Sequence, residues 1–232
     1  NYIERISFSR AAHINLVSEG FKKNFEKYKK ANYSFYPNGI DDAFLQVRQD
    51  EKIQGSPLIV TYAGNIGEGQ GLHKIIPEVA EKVHVNYYFR IMGDGGKKRE
   101  LKQIIEEKKL SNVELLDPVK RENLIEYYRQ SHFLFIHLNS YKAFEKVLPS
   151  KLFEYGATNI PVIAGVTGHA RAFLKEQMSN TIVFDPCDAK MLLLALADYE
   201  YKTESRTNFI ERFHRLAITQ QMAASIMSYL PS

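Results

Sequence analysis

The sequence predicts an α/β protein built on a parallel sheet with helices on both faces. Two observations carry this. From Pro57 onward, short apolar segments alternate with longer amphipathic ones, the pattern of strands joined by right-handed helical crossovers. One of those segments, PVIAG at 161–165, is wholly apolar, and FLFIH at 133–137 is apolar up to its last residue, as expected for strands covered on both faces. The length of 232 residues and a hydrophobic share of 44% suffice for a core of this size.

In chain order, His13–Val17 reads as a short strand, and Ser18 as the N-cap of a helix reaching about Lys30. Tyr33–Ile40 ends in a turn, because Pro37 fixes φ while Asn38 and Gly39 tolerate positive φ. Asp41–Gly55 has few apolar residues and reads as a connector. Strands follow at Leu58–Tyr62, Tyr87–Met92, Val113–Leu116, Phe133–His137, Val162–Ala164 and Thr181–Phe184. Helices fall between them at Leu72–Lys82, Lys97–Lys109, Arg121–Gln130, Ser150–Thr158 and Ala170–Glu176, with two more at Ala189–Tyr199 and Arg206–Tyr229. In the last, Phe209, Phe213, Leu216, Met222 and Ile226 recur at near-helical spacing.

Composition excludes several classes. No apolar run approaches 18 residues and no export signal is visible. The single cysteine, Cys187, allows neither an internal disulfide nor a cysteine metal cluster, which fits a reducing compartment. Histidines 13, 73, 84, 132, 137, 169 and 214 have no metal spacing, and only His137, ending an apolar strand, is placed to face a crevice. The net charge of +4 is mild; five lysines face one glutamate in FKKNFEKYKK, which reads as a solvated face and not as a nucleic-acid site. Because the chain starts at Asn1, it is expected to be a fragment or a processed product.

Two glycine-rich turns follow the first two strands of the regular pattern, AGNIGEGQGL at 63–72 and MGDGG at 92–96. Neither has the spacing of a dinucleotide fingerprint or the GK[ST] of a P-loop, and tight turns without ligand look alike. Their weight comes from position, since loops at the carboxyl ends of parallel strands converge on one crevice. The stretch EKVLPSKLFEYGATNIPVIAG at 145–165 adds charge there. Ser150 can cap a short helix behind Pro149, and Lys151 and Glu154, three apart, project from one side of it. A helix start beside such a sheet suits an anionic ligand, whereas a Glu on a short helix is also simply a solvated residue.

With these segments in place, the chain resembles the C-terminal half of retaining glycosyltransferases of the GT-B fold, the large family 4 that includes bacterial polysaccharide and O-antigen transferases. YPNGID at 36–41 resembles the family's inter-domain element, YAGNIGEGQGL its first donor-domain loop, and RIMGDGGKKREL its second strand and turn. PSKLFEYGATNIPVIA resembles the family signature itself. The resemblance implies a Rossmann-like domain at 57–232, a linker at 37–56, and at 1–36 a remnant of the N-terminal acceptor domain. It further implies a nucleotide-sugar donor, foremost a UDP-sugar, with no cofactor or metal ion. The ribose would bind the carboxylate of Glu154, the diphosphate would lie over Ser150, Lys151 and the Gly64, Asn65 and Gln70 loop, and the base would sit between Gly93, Asp94, Gly95 and the main chain of Val119 and Lys120. Lys151 and Glu145 are the implied catalytic residues. The acceptor would be a glycan or lipid-linked sugar reached through the missing domain, at the cytoplasmic face of the cell membrane, with peripheral membrane association.

Three departures from the family pattern shape the expectations. Asn65 and Gln70-Gly71 stand where many members carry Arg and Lys-Gly, so Lys151, with Lys74 as competitor, must supply the positive charge. The first glutamate of the family's E-x7-E pattern falls on Lys146, with Glu145 one residue earlier. Asp117-Pro118 stands where a glycine is usual. A nucleotide-sugar epimerase of GT-B type and a non-catalytic nucleotide-binding module are the alternative functions.

Overall fold

The computed structural model describes residues 2–48, 57–83 and 85–229. The predicted linker therefore lies partly, and His84 wholly, outside the described residues. Eight strands and ten α-helices follow one another as α1 (Tyr2–Ser9), β1 (His13–Leu16), α2 (Lys22–Phe25), β2 (Asn32–Phe35), β3 (Leu58–Asn65), α3 (Leu72–Val83), β4 (Tyr87–Asp94), α4 (Lys98–Glu107), β5 (Val113–Leu116), α5 (Arg121–Arg129), β6 (Phe133–His137), α6 (Lys151–Gly156), β7 (Val162–Gly165), α7 (Gly168–Gln177), β8 (Thr181–Phe184), α8 (Ala189–Ala197), α9 (Thr207–Phe213) and α10 (Arg215–Met227), among the described residues.

The main sheet is parallel throughout, in the order β5-β4-β3-β6-β7-β8. The order in which strands are added reverses between β3 and β6, so the crevice at their carboxyl ends is the switch point of a doubly wound sheet. Side chains alternate between two cores. Leu134, Ile136, Val162 and Ala164 belong to one, Phe133, Phe135 and Ile163 to the other, which is why consecutive positions of these strands are apolar.

The structure corrects the sequence reading in four places. The helix expected over Ser18–Lys30 is a 3₁₀ turn at Glu19–Phe21 followed by the single turn α2. Ser18 caps it as expected, accepting from Gly20 N at 3.3 Å, but Tyr33 Oη donates to the carbonyls of Phe25 and Tyr28 at 2.6 and 3.2 Å, drawing them out of a helical ladder. β2 escaped the reading, although it pairs in parallel with β1. The helix α1 escaped it too, and none of its residues is buried.

The helix expected over Arg206–Tyr229 breaks at His214, whose backbone is extended. Ile40 causes the break: its N–H donates to Phe213 O at 2.7 Å and its carbonyl accepts from Arg215 N at 3.1 Å. Gly39, at φ +67°, permits that approach, since a Cβ there would sit 2.9 Å from Arg215 Cα. Ahead of the break, Arg206 is buried at 4% exposure and donates to the carbonyls of Thr158, Ile160, Ser179 and Asn180, which ties α9 to the far edge of the sheet. Loss of hydration holds its pKa down to about 10, so the guanidinium stays charged.

Candidate functional site

The crevice begins where β3 and β4 run on past the apolar segments that the sequence marks as strands. Gly64 pairs with Gly93 and Asn65 with Asp94, so the two glycine turns are the ends of adjacent strands and not free loops. Only glycine fits there. Gly93 lies at φ +144°, and a Cβ on it would collide with the Gly64 carbonyl oxygen; a Cβ on Gly95, at φ +151°, would lie 2.6 Å from Asn65 Oδ1. Main-chain bonds then stitch the turns together, Ile66 N to Asp94 O at 2.7 Å and Lys97 N to Ile66 O at 2.9 Å.

Asn65 and Gln70, which the resemblance sets where cations were expected, satisfy one another. Asn65 Nδ2 donates to Gln70 Oε1 at 2.7 Å, and Gly67 N reaches the same oxygen at 3.3 Å. Positive charge comes instead from residues around Glu68. Its carboxylate accepts from Tyr141 Oη at 2.6 Å, pairs with Lys97 at 3.1 Å and Lys74 at 3.5 Å, and accepts from Asn139 Nδ2 at 3.1 Å. The Tyr141 and Lys97 bonds hold the Glu68 pKa down to about 2. Glu68, Asn139 and Tyr141 were missed in the sequence; the available signal was a carboxylate within a glycine-rich loop that has lysines nearby.

His137, the histidine expected to face the crevice, is a strut, the structural role favoured for every histidine. It is 1% exposed, its Nδ1 sits 2.6 Å from Gln70 O, and its Nε2 accepts from Cys187 N at 2.9 Å. With Nδ1 donating, both ring nitrogens are satisfied by a neutral imidazole that links the loop after β3 to the loop after β8. Burial lowers its pKa from 6.5 to about 4. The unfolded chain takes up this proton near pH 6.5 and the folded chain only near pH 4, so the contribution is complete above the first value and lost as pH falls toward the second. The loss levels off at about 3 kcal/mol. Denaturant melts of wild type and His137→Phe should show the variant weaker at neutral pH but flatter through this window. Parallel slopes would contradict the assignment.

At the end of β5, Lys98 Nζ donates to Asp117 Oδ1 at 2.6 Å and Leu116 O at 3.3 Å, fixing the loop that follows. That loop carries Val119, packed against the core, and Lys120 at the N-cap position of α5 without a side-chain cap.

The signature helix α6 departs from expectation in two ways. Ser150 sits in helical conformation and makes no capping bond with its side chain. Nor are Lys151 and Glu154 independent: Lys151 Nζ lies 2.7 Å from Glu154 Oε2, both partly buried. Six residues also make α6 too short for its dipole to dominate, so side chains must balance an anion. Ser150 and Glu154 open onto a cleft of about 550 Å³ that Tyr36, Asn38 and Arg215 also line. Arg215 was missed as well; it donates to Asp41 Oδ2 at 3.0 Å and Asn38 O at 3.1 Å, while Arg121 reaches Asp41 Oδ2 at 2.9 Å. Asp41 of the YPNGID element thus clamps two helices. Glu145 is exposed on a 3₁₀ turn, Lys142–Lys146, and Lys146 turns away to Asn24 Oδ1 at 2.8 Å. Among the described residues, no group of three or more His, Cys, Asp or Glu side chains is placed to hold a metal ion.

A doubly wound parallel sheet with glycine turns and paired charges at its switch point defines a Rossmann-like domain of the kind that forms one half of the GT-B fold. The chain belongs to the group 1 glycosyl transferases, whose family pattern matches residues 44–215. It is 28% identical over 174 residues to the putative colanic acid biosynthesis glycosyl transferase WcaI of Escherichia coli (strain K12), covering 70% of this chain and 41% of that protein. Among solved structures, Alr3699/HepE of Anabaena in complex with UDP-glucose superposes with a TM-score of 0.77 at 17% identity, covering 98% of this chain and 67% of that one. The lipopolysaccharide outer core galactosyltransferase WaaB, in its apo form, gives 0.73 at 16% identity, covering 94% and 62%. The chain thus spans less than half the length of WcaI.

Proposed function

We propose that this chain is the nucleotide-sugar-binding half of a retaining glycosyltransferase in polysaccharide biosynthesis, acting on a glycan or lipid-linked acceptor at the inner face of the cell membrane. The observation that carries the reading is the convergence of the ends of β3, β4, β5 and β6 at the switch point of the sheet, where Glu68 gathers Lys74 and Lys97. The HepE complex with UDP-glucose and the naming of WcaI for colanic acid biosynthesis support the substrate class. Glu154 would accept both ribose hydroxyls, since a carboxylate has two oxygens for two donors. The Gly93–Gly95 turn and the Val119–Lys120 main chain would hold the base. As the sugar carbon becomes cationic, Lys151 and Lys74 would neutralise the departing diphosphate without a metal ion.

Binding by this chain should be separable from transfer, because residues 1–36 contribute only two strands of a second unit among the described residues. Calorimetric titration with UDP, GDP and their sugars should show a nucleoside diphosphate bound, and a radiolabelled-sugar assay should show no transfer. Binding of none of them would end the proposal, and turnover by this chain alone would end its half-enzyme part.

Lys151 is the leading phosphate ligand, and its bond to Glu154 makes the test sharper. Lys151→Met should weaken the diphosphate and leave the bare nucleoside bound, with the residual affinity less sensitive to salt. Lys74, held by Asn139 Oδ1 at 3.4 Å and Glu68 at 3.5 Å, should show a smaller effect as Lys74→Met. Equal loss of both ligands in Lys151→Met would mean that this residue shapes the pocket only.

A further inference from the structure

We propose that Ser18, Gly20 and Asn24 are positioning residues for Glu145. The loop after β1 grips the turn Lys142–Lys146 and so sets where the Glu145 carboxylate stands against the donor sugar. The inference rests on the reading above, that this chain binds a nucleotide sugar, and on the catalytic role that the family resemblance implies for Glu145.

The turn is pinched between glycines on three sides. A Cβ on Gly20 would collide with the Lys146 carbonyl oxygen and lie 2.8 Å from Lys146 Cα. One on Gly168, at φ +58°, would collide with the Glu145 carbonyl oxygen and lie 2.6 Å from its Cα. One on Gly69 would lie 2.9 Å from Phe144 Cζ. These glycines belong to three separate pieces of the molecule: the loop after β1, the first turn of α7, and the crevice loop after β3. At Gly20 and Gly168 backbone packs on backbone, which leaves less latitude than the side-chain contact at Gly69, because neither partner can swing away.

Hydrogen bonds lock the same point. Ser18 Oγ donates to Lys146 O at 2.9 Å and accepts from Gly20 N at 3.3 Å, so one hydroxyl orders both sides of the contact. Lys146 Nζ donates to Asn24 Oδ1 at 2.8 Å. The turn's next residue inward, Glu145, has no hydrogen bond or ion pair from its side chain among the described residues, while its main chain is held from both sides. The backbone is fixed and the carboxylate left free, the arrangement that accepts a ligand hydroxyl without first breaking an internal bond. It also gives the one-residue offset in the paired-glutamate pattern a physical reading: the residue at the family's position, Lys146, is taken by the N-terminal unit, and Glu145 is the carboxylate that remains.

The test compares a nucleoside diphosphate with its sugar in this chain, using UDP with UDP-glucose, or GDP with GDP-mannose if the unmodified chain prefers guanine. The ratio of the two affinities isolates the sugar's share. Glu145→Gln should reduce that ratio by about tenfold, the loss of one charge-assisted bond. Gly20→Ala should reduce it as far while leaving the affinity for the diphosphate unchanged. Ser18→Ala, which adds no atoms and serves if Gly20→Ala does not fold, should reduce it in part, and Ser18→Thr, which keeps the hydroxyl, should restore it. An intact ratio in Gly20→Ala or Ser18→Ala would overturn the inference, as would equal loss for both ligands or an intact ratio in Glu145→Gln. If the unmodified chain binds neither ligand, it is the parent reading that fails, which the unmodified titration shows by itself.

Discussion

Gly93→Ala should cost this protein much of its stability, whereas Gly96→Ala, three residues on, should leave it nearly unchanged. The Gly93 Cβ would collide with the Gly64 carbonyl oxygen and lie 2.9 Å from Gly64 C, in the pairing of β3 with β4. Neither atom can move without parting the two strands. The backbone, at φ +144°, also lies where side-chain-bearing residues are rare. Overpacking of a rigid site and the backbone term together come to about 3–5 kcal/mol, a large part of the stability of an ordinary domain. At Gly96 nothing lies within 4 Å of an added Cβ and φ is ordinary, so the change should stay within about 0.5 kcal/mol. Thermal melts should separate the two by about 10 °C. Coincident melts would mean that the turns are loose and the crevice is not preformed.

Glu154→Ala should weaken a nucleoside diphosphate by at least about tenfold, since two charge-assisted bonds of about 1.5–3 kcal/mol each are lost. The loss should be larger for the bare nucleoside. Removing the carboxylate frees Lys151, now held at 2.7 Å, to serve the phosphates alone, which offsets part of the loss for the diphosphate only. Melting should barely move, because a pair three residues apart on a helix and still partly open to solvent contributes about a few tenths of a kcal/mol. Glu154→Gln should lose less in both assays. A large drop in melting temperature with unchanged affinity would make Glu154 an ordinary structural residue.

The strands of the main sheet were legible because a short, largely apolar run bounded by turn residues suits little besides a strand; β5, β6 and β8 fall where the sequence places them, β5 with Glu114 in it because it lies at the sheet edge. The ends of β3 and β4 were not, since Gly64 and Gly93 read as turns until one strand is seen to let the other approach. β2 left a weak trace, Tyr33 and Phe35 alternating over four residues. The break at His214 was invisible, because the group that causes it, Ile40, comes from the other end of the chain. At the site, spacing put Lys151 and Glu154 on one side of a helix, but their bond to each other is a matter of rotamers. Glu68 escaped because its importance lies in Lys74, Lys97, Asn139 and Tyr141, which only the switch point of the sheet brings to one place.

The central claim is that the donor lies across the carboxyl ends of β3 to β6, and amide hydrogen exchange with and without the bound nucleoside diphosphate tests it most directly. The account predicts protection in three stretches, 64–71, 93–97 and 117–120, together with the start of α6, while the cavity between α7 and α9, lined by Lys175, Glu204 and Arg212, stays unchanged. Protection confined to that second cavity, or spread evenly over the sheet, would contradict it.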